Sequence, residues 1–183
     1  VGFDSIHEGF ALEQGVVIEF DKGSCNGVVR EKGVVDELDG KWFGRRSGDE
    51  LVLSLVETAY LLLGGGATVR VDGDSVSDLH GLVSLRHECF AEFFWPMLTV
   101  YKDLRDRGRR VRPLGGNSFL VKDKHGDVRI VYVLEEKALE STDSLVKYVE
   151  AARSNSLQAV FAIVSLQGDL TYYEVSRISP VVG

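Results

Sequence analysis

Sulfur is scarce in this chain: 183 residues contain two cysteines and one methionine. Cys25 and Cys89 stand far apart with no C-x-x-C neighbour, so neither a disulfide framework nor a zinc knuckle is expected. No apolar run approaches the roughly 20 residues that cross a bilayer, which argues against a membrane role. The opening "VGFDSIHEGF" lacks the basic-then-apolar pattern of a secretory signal, and the cytoplasm is the expected compartment. A starting methionine is also lacking, so the natural N-terminus is expected to be missing. Excess positive charge is lacking too. The 21 Lys and Arg face 28 Asp and Glu, for a net charge of −7, which excludes indiscriminate nucleic-acid binding. The deficit is uneven: residues 1–87 hold 8 basic against 15 acidic residues, and residues 88–183 hold 13 of each. A local basic strip in the second half is therefore compatible with the whole. It is visible at 105–112, where Arg105, Arg107, Arg109, Arg110 and Arg112 fall within eight positions.

What is present is an ordinary globular composition, 44% hydrophobic and 27% charged, long enough for one large domain or two small ones with a buried core. "GVVIEF" (15–20) and "NGVV" (26–29) read as strands around the turn-rich "DKGSC". "GDELVLSLVETAYLLLGGG" reads as a helix capped by Asp49. Leu51, Leu55, Val56, Ala59, Tyr60 and Leu63 recur at helical spacing in it, and Gly64 to Gly66 stop it. "ATVRV" (67–71) is a strand, and Ser75 or Ser77 caps a short helix in "DSVSDLHGLVSL". A longer helical pattern runs from Glu88 to Arg107 with Pro96 inside it, where a kink and a domain boundary are expected. Strands follow at 109–113, 118–122 and 128–134, then a helix at 142–154 and strands at 158–164 and 170–177. The fold class is α/β (α+β). A small N-terminal mixed domain (1–90) precedes a C-terminal domain (91–183) of order β-β-β-α-β-β, whose mixed sheet is flanked by helices.

Four stretches together resemble the archaeal tRNA-splicing endonuclease family. "FGRRSGDELVLSLVETAYLL" (43–62) resembles its N-terminal signature, and "VYKDLRDRGRRV" (100–111) the entry into its nuclease domain. "GNSFLVK" (116–122) resembles its G-A-D-F-x-V-Y strand. "AIVSLQGDLTYYEVSR" (162–177) resembles its late hairpin, A-x-V-D-x-x-G-D-x-x-Y-Y. The resemblance implies metal-free and cofactor-free cleavage of RNA at bulge-helix-bulge junctions, leaving a cyclic phosphate and a 5′-hydroxyl. Such chemistry needs a base for the 2′-hydroxyl, an acid for the leaving oxygen and a cation beside the phosphorane.

The family supplies Tyr, His and Lys for these roles, and the matched positions here hold Lys122, Gly126 and Leu157. His125 lies one residue from the histidine slot and is the remaining catalytic candidate, with a solvated turn as its alternative role. Glu150 stands where the family has a base-gripping arginine. The resemblance thus implies a structural subunit, inactive alone. Its expected partner is a catalytic paralogue in a two-plus-two heterotetramer, with precursor tRNA bound through the complex. Gly168 and Asp169 are the expected docking loop, with Tyr172, Tyr173 and Val175 in the pairing strand. Arg109, Arg110 and Arg112 are expected to meet RNA or a partner's acidic loop. The alternatives are a competent endonuclease using His125, and an RNA-binding or assembly module outside splicing.

Overall fold

A computed structural model describes residues 15–91, 93–138 and 140–175, and the chain divides into two compact units, 1–112 and 113–183. In the first unit, β1 (Val16–Asp21), β2 (Asn26–Val29), α1 (Lys32–Gly40), β3 (Arg45–Ser47) and β4 (Glu50–Leu53) lead into α2 (Leu55–Leu63). They are followed by β5 (Ala67–Val71), β6 (Asp74–Val76), α3 (Leu79–Leu85), a 3₁₀ turn at His87–Cys89 and α4 (Phe94–Asp106). The strands form one sheet in the order β3-β4-β2-β1-β5-β6, in which β1 and β5 run parallel. Helix α2 packs close to this sheet over Gly27, where a Cβ would come within 2.5 Å of Ile18 Cγ2 and 2.7 Å of Thr58 Oγ1. Any side chain at Gly27 would push the helix off.

Four expectations for this unit are corrected. The helix expected from Asp49 is strand β4 followed by a helix that starts at Leu55. Ser54 caps it, accepting from the Glu57 N–H at 3.3 Å while Glu57 Oε2 accepts from the Ser54 N–H at 2.8 Å. A cap hidden inside an apolar run breaks one apparent helix into two elements. Likewise Asp78, not Ser75 or Ser77, caps α3. Pro96 makes no kink, because α4 begins at Phe94 and the proline falls in its first turn, where no intrahelical donor is needed. Finally, Cys25 and Cys89 are joined as a disulfide across 64 residues, Cα to Cα 5.7 Å. It ties the β1–β2 turn to the 3₁₀ turn before α4.

The compact units divide at Arg112, beyond the expected 90/91, because α4 belongs with α2. The Tyr60 and Tyr101 rings meet edge-on at 5.5 Å, and the Tyr60 hydroxyl donates to Asp106 at 3.1 Å. Tyr101 and Leu104 are fully buried.

β7 (Arg110–Gly115) carries the chain across the division. In the second unit, β8 (Ser118–Lys122), β9 (Val128–Glu135), α5 (Thr142–Ser154), β10 (Gln158–Val164) and β11 (Leu170–Val175) complete the expected order. The sheet runs β11-β10-β9-β8-β7, with β9 and β10 parallel and joined through α5. Leu145, Tyr148 and Val149 of α5 pack on Ile130, Tyr132, Leu134 and Phe161, the inward positions of two strands. β11 pairs with β10 on one side only and forms an edge of the sheet. Among the described residues no helix is long and apolar enough to cross a membrane.

Candidate functional site

The β8–β9 hairpin holds two of the three matched positions. Lys122 ends β8 opposite Val128. The turn that follows is closed by its own first residue. Asp123 Oδ1 accepts from the His125 N–H at 2.8 Å and the Asp127 N–H at 3.0 Å, and the Asp123 N–H donates to the Asp127 carbonyl at 3.0 Å. Partial desolvation acts to raise the Asp123 carboxyl. The N–H groups of Asp127 and His125, together with the His125 charge, outweigh it and hold the carboxyl below its ordinary value. His125 sits exposed at the tip. Gly126 has φ +96°, a conformation that penalises any residue with a Cβ. The histidine slot is thus occupied by backbone that resists a side chain. The third position, Leu157, lies between α5 and β10, is partly buried and packs against the core cluster under α5. Glu150 is exposed on α5. Lys122, Gly126 and His125 are therefore brought together, while Leu157 is committed to packing.

The basic run separates into four environments. Arg105 is a structural clamp: its guanidinium donates to the carbonyls of Lys41 (2.7 Å), Trp42 (2.8 Å) and Val111 (2.7 Å) and lies 3.8 Å from the Phe43 ring centre. Beside it Glu57 is buried. Its carboxylate accepts the Gly44 N–H at 2.7 Å, and burial pushes its ionisation above the ordinary carboxylate value against the pull of Gly44, Ser54 and Arg105. Arg107 pairs with Asp103 at 3.0 Å. Arg112 is half-buried, with its guanidinium 5.3 Å from the Trp42 ring centre and 3.7 Å from Asp39. Arg109 and Arg110 have no carboxylate partner among the described residues.

The β10–β11 turn repeats the construction of the first hairpin with different residues. Ser165 Oγ accepts from the Gln167 N–H at 3.2 Å and the Asp169 N–H at 3.1 Å, and Gly168 has φ +86°. Leu166 stands 69% exposed at the tip, its N–H donating to Glu136 Oε2 at 3.3 Å. The Asp169 side chain is exposed with no cation beside it among the described residues. Along β11, Thr171, Tyr173 and Val175 stand opposite Ile163, Phe161 and Ala159 on the α5 side. Tyr172 takes the other face. Tyr173 is 54% exposed although it shares a face with the core. Among the described residues no strand pairs with the outer edge of β11, and such an edge is a template for another strand.

Sequence reasoning missed Trp42 and Leu166. The Ser165 hydroxyl is the acceptor that closes the β10–β11 turn. No group of three or more His, Cys, Asp or Glu able to hold a metal occurs among the described residues.

Residues 94–172 match the family described as tRNA intron endonuclease, catalytic C-terminal domain, and residues 18–80 match tRNA intron endonuclease, N-terminal domain. A tRNA-splicing endonuclease from Pyrococcus horikoshii is 33% identical over 153 residues, 81% of this chain and 89% of that protein. The chain belongs to the tRNA intron endonuclease family. The Thermococcus kodakarensis tRNA-splicing endonuclease is 31% identical over 175 residues, 92% of this chain and 97% of that protein. Against the longer Methanococcoides burtonii tRNA-splicing endonuclease, identity is 31% over 158 residues, and the chain spans only 44% of that relative's length. Both family segments lie in the expected order. They part between residues 80 and 94, at the 3₁₀ turn and before α4, whereas the compact units part after Arg112.

Proposed function

We propose that this chain is the non-catalytic structural subunit of a heteromeric tRNA-splicing endonuclease. It assembles two-plus-two with a catalytic paralogue that cuts precursor tRNA at bulge-helix-bulge junctions. The observation that carries this reading is the condition of the three matched positions. Lys122 stands where the resemblance puts a phenol, Gly126 holds a φ of +96° where it puts an imidazole, and Leu157 is partly buried against the core cluster where it puts an ammonium. A general acid or base contributes roughly 10²–10⁴ in rate, so one exposed histidine beside this set does not restore the reaction.

Two further features support an assembly role. The outer edge of β11 has no partner strand among the described residues, and a counterpart strand carrying Tyr172, Tyr173 and Val175 positions would extend the sheet. The Gly168-Asp169 turn is preformed by Ser165, so its carboxylate meets a partner's cation with little ordering cost, worth about 1.5–3 kcal/mol if desolvated. The subunit's contribution to cleavage is then geometric: it holds the active paralogues at the spacing of the two splice junctions, where an error of about 1 Å costs roughly 10²-fold.

The test is to incubate an intron-bearing precursor tRNA with this chain, with the catalytic paralogue, and with both. Cleavage only in the mixture is the expected result. Cleavage by this chain alone overturns the reading.

A further inference from the structure

Disulfides staple domains whose cores are too small to hold them, and the first unit is not of that kind. Ile18, Leu51, Leu53, Tyr101 and Leu104 are fully buried in it without help from the Cys25–Cys89 bond. Both cysteines are partly exposed, within reach of a dissolved thiol. What the bond pins has few holds of its own. Neither the 3₁₀ turn at His87–Cys89 nor the start of α4 has a side-chain cap. The Cys89, Phe90 and Phe94 N–H groups donate to the carbonyls of Arg86 (3.0 Å), His87 (3.0 Å) and Ala91 (2.9 Å). The Phe90 ring adds contacts with Phe94 at 4.8 Å and Trp95 at 6.0 Å.

A second, ionic link joins the same two turns. Lys22, three residues before Cys25, lies 3.5 Å from the Asp72 carboxylate. Arg86, three residues before Cys89, pairs with that same carboxylate. Cys25 is also preset on its own side. Asp21 accepts from the Gly23 and Ser24 N–H groups at 3.4 and 3.0 Å, holding the turn in which Cys25 takes a φ of +56°. The two turns therefore keep their facing positions when the covalent bond opens.

We propose that Cys25–Cys89 is a reversible thiol–disulfide exchange site, opened by a dithiol reductant and closed again with Asp72 holding the two turns in register. A thiolate of the reductant attacks the Cys25 sulfur, which stands beside the small exposed Gly23 and Ser24, whereas the Glu88 carboxylate flanks Cys89. The bond from the reductant to Cys25 forms as the Cys25–Cys89 bond breaks, and Cys89 leaves as a thiolate that takes a proton from water. The reductant's second thiolate then attacks its own bound sulfur and releases Cys25, which is protonated in turn. Two electrons pass to the chain, and the reductant ends as a disulfide. Opening frees the 3₁₀ turn and the start of α4, while the rest of α4 stays on α2 through Tyr60 and Tyr101. The site is independent of the assembly role proposed above, since all of its groups lie in the first unit.

The test uses the purified full chain, dithiothreitol as the dithiol, and a maleimide that counts free thiols by mass. The expected result is no label before reduction and a label on both cysteines after it, without denaturant and with unchanged circular dichroism. Exchange of dithiothreitol for oxidised glutathione should then remove the labelling again. On reduction, amide exchange should quicken about tenfold or more at Cys89, Phe90 and Phe94 and stay unchanged at Tyr101 and Leu104. A Cys25→Ser/Cys89→Ser variant should show the same fast exchange with no reductant present. Asp72→Asn removes the shared charge at a residue whose φ of +49° asparagine tolerates, and its bond should re-form about fivefold more slowly. Labelling that appears only in denaturant overturns the proposal and leaves a plain staple. Thiols that oxidised glutathione cannot close overturn it as well. So does re-closure at an unaltered rate in Asp72→Asn, or exchange that quickens along the whole of α4. None of these readouts involves precursor tRNA or a paralogue, so the two proposals fail separately.

Discussion

The second unit contains the same turn twice. "DKHGD" (123–127) joins β8 to β9, and "SLQGD" (165–169) joins β10 to β11. In each, the first side chain accepts from the N–H groups two and four residues on, and the first N–H donates to the fifth carbonyl. In each, the fourth residue is a glycine with φ near +90°. What differs is the acceptor, a carboxylate in one and a hydroxyl in the other, and the cargo at the tip, Lys124 and His125 against Leu166 and Gln167. The lesson is that His125 stands where it does because the turn needs a second and third residue of any kind. A turn built identically elsewhere carries no titratable group at the same place.

The comparison breaks most severely if catalysis is forced into the first turn. A Lys122→Tyr/Gly126→His/Leu157→Lys variant should be destabilised by about 2–5 kcal/mol in chemical denaturation. On the reading proposed above it should not cut precursor tRNA alone, because it strains the glycine position and places an ammonium at a position that packs against the core. Cleavage by that variant would show that side chains alone separate this unit from an active one. Smaller effects follow from the shared glycine. Gly126→Ala and Gly168→Ala should each cost about 1–2 kcal/mol, nearly equal in the two turns. A clearly unequal pair would mean that the loops are not equivalent.

The acceptors separate the twins by pH. Asp123 is held below its ordinary value when folded, so its contribution is complete above the unfolded carboxylate range and is lost as pH falls through the folded value. Amide exchange should therefore show the His125 and Asp127 N–H groups losing protection in acid sooner than those of Gln167 and Asp169, and Asp123→Asn should abolish that difference. The smallest effect expected is for His125→Ala, within about 0.5 kcal/mol in stability and with no change in cleavage by the assembled complex.

The periodic parts of the fold were legible from the residues. Strand 118–122 lies where its apolar alternation puts it, strand 158–164 where its short apolar run does, and the helix at 142–154 where its Ser141-Thr142 start does. Legibility failed where one pattern overlaid another. "LVLSLVETAYLLL" satisfies helical spacing throughout, and only the Ser54–Glu57 cap divides strand from helix. Helix α1 carries no side-chain cap, and acidic residues surround its three apolar positions, so its signal was weak. At the site, the clustering of five arginines at 105–112 could be read directly. The separate fates of the five arginines could not, because which of them finds three carbonyls and which finds solvent is decided by chain segments more than 60 residues away. The cysteine pair was hidden for the same reason: spacing along a chain carries no information about approach in space.

The Cys25–Cys89 bond gives one module of this protein a topology the other lacks. Everything from the second strand through the third helix lies inside a covalent ring, since the bond joins residues on either side of it. A protease nick anywhere in that ring would leave both fragments travelling as one species on a denaturing gel until reductant is added, whereas a nick among the last five strands would release its fragment at once.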